Sequence, residues 1–423
     1  MWSRDKKIMS RVFNFIAFIV FFLATGVQLS SADRKSERAG NMRIEVVWDT
    51  PEKVVGRGGY PRVHRLNDNR LMLCYERGAD NYIRFSEDNG LSWLEEEYKV
   101  MAHFIKENDK GKARLTASNP EFAQLSSNNP YHPGRIIFAC NYRPKWIKPG
   151  VGEENPSSVH PYTISIKTSD DNGVSWSKMR HVYKSGIWED NVLRGCWEPF
   201  VLELPDGVVQ IYFADETPYW KHRSKWQNIS VIESRDGGES WSEPRVVSQN
   251  GVHRDGMPVV TIHDGMLIMA VETTEDDSRM HPIVICNSVE DNWKTTVGVD
   301  SDWRFHPFRR SVKSDIAYSG APYIITTDNY LVYSYQISDA SDDKNDNNTR
   351  HSAMEVQVCH KAEISDGRFF NMRSATRPIK VDQWTETAVW NSLCDLGNDE
   401  ILAVSQYQNA IWTVRGRILS KNR

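Results

Sequence analysis

Two internal repeats predict an all-β chain, folded as a six-bladed β-propeller of four-stranded antiparallel blades. The first repeat is S-x-D-x-G-x-S-W. It occurs as "SEDNGLSW" (Ser86–Trp93), "SDDNGVSW" (Ser169–Trp176) and "SRDGGESW" (Ser234–Trp241). In each copy the Asp caps a tight turn through its own backbone and the Gly supplies a positive φ. The Trp is expected to fold back onto its blade. "SVEDNW" (Ser288–Trp293) reads as a worn fourth copy. Turn chemistry accounts for these segments, so they are structural rather than catalytic.

The second repeat is a hairpin. It is seen in "YPRVHRLNDNRLMLCYE", "NPEFAQL…GRIIFACNYR", "WEPFVLELPDGVVQIYFADE", "MPVVTIHDGMLIMAVET", "APYIITTDNYLVYSYQ" and "WNSLCDLGNDEILAVSQY". Each has a Pro or small residue, a short alternating strand, a polar turn, then an apolar strand with a polar end. In the first three a third strand and the S-x-D-x-G-x-S-W turn follow. This is one blade written six times. "RIEVVW" (Arg43–Trp48) is expected to pair beside "VRGRIL" (Val414–Leu419), closing the ring and hiding its edges. No helix of consequence is expected past the N-terminal segment. "SDASDDKNDNNTR" (Ser338–Arg350) reads as a loop of blade five.

Composition narrows the function. The chain has 423 residues, 39% hydrophobic and 26% charged, with a formal net charge of −4. That suits a soluble protein, and no basic stripe points to nucleic acid. Basic residues precede the apolar run Val12–Val27, and small residues follow at Ser30 and Ala32. This order of segments predicts a cleaved signal over 1–32, with an uncleaved anchor as the alternative, and a secreted or periplasmic protein with no membrane attachment after cleavage. Residues 33–40 form a polar leader and 41–423 the propeller, expected as a monomer. The six cysteines are widely spaced, with no C-x-x-C pair, so no metal or redox motif is indicated. Cys74, Cys140 and Cys286 lie in apolar runs and are expected as buried thiols, with disulfides as the alternative. His64 and His253 lack metal-ligand spacing. No cofactor is expected.

In a propeller the first strand of every blade lines the central channel. The starts of those strands, and the ends of the second strands, should therefore meet on one face. That gathers Tyr60, Arg62, Asn119, Glu121, Trp197, Glu198, Asp255, Met257, Tyr323, Trp390 and Asn391. The second strands add Glu76, Asp215, Glu216, Glu272, Gln336 and Gln406. Glu198 stands out, because a carboxylate beside Trp197 and Pro199 opens a strand otherwise built for a core. Aromatic faces with paired carboxylates are what glycosidic bond cleavage needs. A scaffold ion pair is the alternative reading of Glu198 and Arg62, and a solvated strand end that of Glu272. Tyr323 and Trp390 fit a core plug as well as a sugar platform.

"WEPFVLELPDGVVQIYFADE", "RDGMPVVTIHDGMLIMAVE", "SGAPYIITTDNYLVYSYQ" and "WNSLCDLGNDEILAVSQ", with "YPRVHRL", resemble the exo-α-1,5-L-arabinanase family of glycoside hydrolases. The S-x-D-x-G-x-S-W turn likewise resembles the Asp-box, or BNR repeat, of sialidase-like propellers. The resemblance covers nearly all the chain after the signal. It implies Glu198 as general acid/base and Glu272 as nucleophile of a retaining mechanism, acting on linear arabinan. Arg62, Trp197, Arg254, Asp255, Tyr323 and Gln336 are the expected substrate-binding residues. Desolvation by Trp197 and Pro199 would raise the acid's pKa, and Arg62 or Arg254 would keep the nucleophile ionised. The sequence departs from the likeness at Asp255, where an uncharged residue is expected, and in the acidic insertion of blade five.

A sialidase-type hydrolase and a non-catalytic glycan-binding propeller are the competing readings. The first clamps its sugar carboxylate with arginines. Here the second strand of the blade bearing Glu198 ends in Asp215 and Glu216, which argues for a neutral sugar.

Overall fold

The apolar runs become the inner and middle strands of six sheets, set as the blades of a propeller. The computed structural model describes residues 42–152, 155–186, 194–219, 226–249, 251, 253–274, 280–308, 318–338, 351–364, 370–382 and 385–422. The signal at 1–32, the polar leader at 33–40 and the acidic tract from 339 to 350 lie outside the described residues. The propeller occupies the compact unit Ile44–Ser420.

The innermost strands of blades one to six are Gly59–Arg65, Gly111–Gln124, Cys196–Glu203, Asp255–His263, Tyr318–Thr326 and Ala388–Gly397. Their hairpin partners are Leu71–Arg77, Ile136–Pro149, Val209–Asp215, Met266–Thr273, Tyr330–Ser338 and Glu400–Tyr407. These second strands have strands on both sides and neighbouring blades against both faces. Met266–Thr273 is accordingly buried at every position, as expected for a strand covered twice. In blade six the strand Ala410–Asn422 lies between Glu400–Tyr407 and Met42–Trp48. The chain's two ends thus close the ring in the expected manner. Helix is limited to three short 3₁₀ turns among the described residues.

The repeated turns work through one network. Asp88 Oδ1 accepts from Ser92 N at 2.8 Å and from the Ser86 hydroxyl at 2.9 Å, and Gly90 N donates to Ser86 Oγ at 2.9 Å. Asp171 and Asp236 repeat the pattern. Gly90 and Gly173 hold φ of 82° and 88°, a region costly for residues with a Cβ. Trp176 meets Phe138 edge-on at 5.6 Å. In the worn copy Trp293 is buried and its indole N–H donates to the Tyr212 hydroxyl at 2.8 Å. All six cysteines are buried and unbridged.

Blade two departs from its siblings. Its inner strand starts at Gly111, well before the point where the other inner strands begin, and an extra strand, Phe104–Asn108, pairs along this extension. The second strand runs out with it to Pro149. Gly111–Ala117 at ~3.4 Å per residue makes a ribbon roughly 20 Å long beyond the blade.

Candidate active site

All six inner strands break register at the same place. The shifts fall between Gly59/Arg62, Ser118/Glu121, Trp197/Phe200, Gly256/Val259, Gly320/Tyr323 and Val389/Ser392. At each bulge a non-glycine residue has positive φ: Tyr60 49°, Asn119 49°, Glu198 55°, Met257 50°, Ala321 45° and Trp390 54°. In five blades a proline follows (Pro61, Pro120, Pro199, Pro258, Pro322) and in the sixth Asn391. A left-handed L-residue costs roughly 1–2 kcal/mol, and a following proline restricts it further. The strain recurs in every blade, so it belongs to the fold. Its effect is to converge six side chains on the axis. Tyr60, Met257 and Ala321 pack as one cluster with Trp390 against it.

The bulge N–H groups need acceptors. In three cases the acceptor is the second-strand residue of the preceding blade. Asn119 N donates to Glu76 Oε1, Ala321 N to Glu272 Oε2 at 2.8 Å, and Trp390 N to Gln336 Oε1 at 2.9 Å. In blade three the equivalent position, opposite Trp197, is Ala214, which has no acceptor. There Met257 N donates to Glu198 Oε2 instead, at 3.2 Å. Glu198 is therefore turned across the blade boundary toward blade four, whose second strand carries Glu272.

Arg254 joins the two carboxylates. Its Nη2 lies 2.5 Å from Glu272 Oε1 and 4.0 Å from Glu198 Oε2. By the triangle rule those oxygens are at most about 6.5 Å apart. Arg254 Nε is fixed by Gln227 Oε1 at 2.8 Å. Burial pushes the Glu198 carboxyl above the usual carboxylate range; Arg254 opposes this and Glu272 adds to it. Glu272 is buried rather than a solvated strand end. The Tyr318 hydroxyl, which accepts from Gln336 Nε2 at 2.6 Å, also lies close: a Cβ on Gly320 would sit 2.7 Å from Glu272 Oε2 and 2.8 Å from that hydroxyl. Burial, then Glu272, push the Tyr318 phenol up.

The other expected site residues divide. Trp197 stands beside Glu198, half-buried; its indole N–H donates to Glu216 Oε1 at 2.9 Å and its ring lies against Tyr162. Arg62 is in the channel but is held by Glu121 at 3.5 Å, by the carbonyls of Pro61, Trp390 and Asn391, and over the Tyr60 ring. It does not reach Glu272. Tyr323 is one layer deeper. Its hydroxyl faces His64 Nε2 at 3.5 Å, and it borders a cavity of about 390 Å³ that opens at the opposite end of the channel. Phe200 borders both that cavity and the small void beneath Glu198, so it plugs the axis between them.

Gln336 is wholly buried, with both ends of its amide used on Tyr318 and Trp390, so it positions neighbours rather than meeting a ligand. Asp255 also differs from expectation. Its carboxylate is fully buried and takes both guanidinium nitrogens of Arg304, at 2.9 and 2.6 Å, and the Ser248 hydroxyl at 2.9 Å. Nothing of it is left for a sugar. Asp215 and Glu216 likewise do not line the pocket. Asp215 accepts from Tyr183 and Thr217, and Glu216 from Gly195, Trp197 and Gln227. The repulsion of an anionic sugar by these two carboxylates therefore does not follow.

Arg143 was missed by the sequence reading. It sits over the Trp197 ring at 5.0 Å and donates to Asn119 Oδ1. The strand-end rule stops at Asn141, opposite Ser118, whereas this strand runs on into the ribbon. No group of His, Cys, Asp and Glu among the described residues could hold a metal ion.

Comparison with known proteins fits this architecture. A family profile described as BNR repeat-like domain matches residues 27–333. No curated protein sequence matches the chain. Among solved structures, the α-L-arabinofuranosidase of Fusarium graminearum, in complex with arabinobiose, aligns with a TM-score of 0.58 at 16% identity. The alignment covers 88% of this chain and 98% of that one. The α-L-arabinanase of Penicillium chrysogenum, also with arabinobiose, gives 0.57 at 16%, over 88% and 97%. The sialidase of Trypanosoma rangeli gives 0.53 at 12%, over 86% of this chain and 55% of that one. At these identities the likeness is one of fold.

Proposed function

The chain belongs to the BNR repeat-like domain family, and from that premise we propose that it is an exo-acting, retaining glycoside hydrolase. The observation that carries the proposal is the pair Glu198 and Glu272, facing one another across Arg254 at the channel mouth. Retaining glycosidases hold their two carboxyl groups ~5–5.5 Å apart, and inverting ones ~6.5–9.5 Å. An upper bound of about 6.5 Å between the facing oxygens favours the former.

Glu198, pushed up by burial, is suited to protonate the leaving oxygen and later to activate water. Glu272 takes hydrogen bonds from Ala321 N and the Arg254 guanidinium, which fix the carboxylate in place, as a nucleophile requires. Trp197 offers an aromatic wall next to the acid.

For the substrate we favour a neutral terminal sugar, an α-L-arabinofuranose of linear α-1,5-arabinan. Two solved neighbours whose names carry arabinose chemistry support this reading. So does the site itself. Arg62 and Arg254 are each already held by a carboxylate, so neither is free to clamp a sugar acid. A sialidase-type activity is the second reading, and it draws on Arg143 beside Trp197. Export through the segment 1–32 completes the proposal.

The test is hydrolysis of linear arabinan, branched arabinan and sialyllactose by wild type, Glu198→Gln and Glu272→Gln. Wild type should release small products from linear arabinan ends with retained configuration. Glu198→Gln should lose about 10²–10⁴-fold on the glycan but less on an aryl glycoside with an activated leaving group. Glu272→Gln should fail on both. Two single variants with near wild-type rates on the true substrate would mean the carboxylates are scaffold.

A further inference from the structure

The ribbon of blade two carries charge that the fold alone does not explain. In antiparallel register, Arg114 lies opposite Lys145, Lys112 opposite Lys148, and Thr116 opposite Arg143. Directly paired side chains share a face, so one face of the ribbon presents Lys112, Arg114, Arg143 and Lys145. Its other face is apolar: Ala113, Leu115 and Tyr142 are buried there, with Phe104 against Tyr142. Like charges directly opposite one another destabilise a strand pair. Lys112 is relieved by Glu107 at 2.9 Å. Neither Arg114 nor Lys145 has a carboxylate partner among the described residues, and both are exposed. The Arg143 Nε is buried without an acceptor.

The basic face looks toward the site. Arg143 lies over Trp197, the neighbour of Glu198. Burial pushes the Glu76 carboxyl up, and Arg143 and Lys145 are among the charges that oppose it. Glu76 is a second-strand residue at the channel mouth. A row of cations therefore leads outward from the catalytic pair along the ribbon.

We infer that this face binds the anionic groups, carboxylates or sulfates, of a glycan whose terminal sugar sits between Glu198 and Glu272. The inference deepens the hydrolase reading and rests on it for the place of the terminal sugar. The cleaved sugar itself is neutral, the end of a linear arabinan side chain; the charge lies on the acidic polysaccharide that bears that side chain. Binding energy gathered there, remote from the reacting bond, would be available to orient the terminal unit.

The experiment measures binding rather than turnover, on the full chain. Wild type and Arg114→Ser/Lys145→Ser are titrated with polygalacturonate, chondroitin sulfate, linear arabinan and a single-stranded polynucleotide, at about 50 mM and about 500 mM salt. Wild type should bind at least one anionic glycan at low salt and lose it at high salt. The double variant should bind that glycan about tenfold more weakly, as two exposed ion pairs would allow, with arabinan binding the same in both proteins. Polygalacturonate against chondroitin sulfate tells carboxylate from sulfate.

Equal binding of the anionic glycans by both proteins, or none by wild type at low salt, overturns the inference. So does a polynucleotide bound as tightly as the glycans and lost in the same variant, which would assign the ribbon to nucleic acid. Thermal melts check folding, and Lys145→Gln alone carries the comparison should the double variant melt early. Wild type that binds the anionic glycan through the ribbon but hydrolyses nothing leaves this inference standing and removes the hydrolase reading.

Discussion

Arg254 Nη2 lies 2.5 Å from Glu272 Oε1, and the same nitrogen is 4.0 Å from Glu198 Oε2. One cation thus stands between two carboxylates on adjacent blades. Without it they would face each other across a mostly buried gap, where like charges repel strongly. Arg254→Met keeps the stem and removes the charge. We expect kcat to fall by about 10²–10³-fold, the scale seen when a preorganised electrostatic partner is lost. Unfolding free energy should fall by roughly 2 kcal/mol. That is less than the ~3–5 kcal/mol of a fully buried pair, since Arg254 is 25% exposed. Steady-state kinetics and urea unfolding measure the two effects separately. A stable variant with unchanged kcat would remove Arg254 from the chemistry.

The raised Glu198 carboxyl sets a pH dependence. Glu198 must carry its proton to act as the acid in the first step. Activity should therefore be lost as pH rises through its pKa, which burial places above the usual carboxylate value of about 4.3. The alkaline limb of kcat/KM belongs to Glu198. In Glu198→Gln that limb should vanish for a substrate with an activated leaving group, which needs no protonation. The Met257 N–H keeps an acceptor in the amide, so the fold should survive. A limb that persists unchanged in Glu198→Gln would assign it to another group.

Much of this architecture is legible in the sequence, and the reason is repetition. Six hairpins and three capped turns are each a local solution, so each copy reports the same blade. Glu198 is legible because it interrupts a core pattern at a strand's start. What stays hidden depends on register and on partners from distant strands. Asp215 falls one place past Ala214, the residue opposite Trp197, and a shift of one residue turns a side chain to the other face; Glu216 lies just beyond the strand's end, where the alternation no longer sets its direction. Asp255 is one place before Gly256 and turns to Arg304, which comes from the blade's far edge. The absence of a basic stripe is true of any single stretch. The ribbon's cations come from two segments that only antiparallel pairing brings together.

Asp255 makes a stability prediction opposite in kind to that for Glu198. Its carboxylate and the Arg304 guanidinium are almost wholly inaccessible and joined by two hydrogen bonds. Asp255→Asn removes the charge that balances a buried cation, a change worth about 3–5 kcal/mol in comparable settings. We expect a loss of about 3 kcal/mol in chemical denaturation. Turnover per folded molecule should be unaltered well below the melting temperature. A variant of normal stability with lost substrate binding would return Asp255 to the pocket.

Gly320 offers the finest test of the nucleophile's placement. It precedes the bulge residue Ala321, whose N–H holds Glu272 Oε2 at 2.8 Å. A methyl group at Gly320 would come within 2.7 Å of that same oxygen and 2.8 Å of the Tyr318 hydroxyl. Both contacts are too short to persist, so the Glu272 carboxylate and the Tyr318 hydroxyl must each give way. Gly320→Ala changes no ionisable group, yet it should displace the proposed nucleophile by a few tenths of an ångström or more. Misplacement of about 1 Å can cost about 10²-fold in rate, so a loss of roughly 10–100-fold in kcat is expected. The loss should fall on formation of the covalent intermediate and hence on substrates with good and poor leaving groups alike. Glu198→Gln differs, because its loss depends on the leaving group. If Gly320→Ala instead shows a leaving-group dependence like that of Glu198→Gln, the roles of the two carboxylates are reversed.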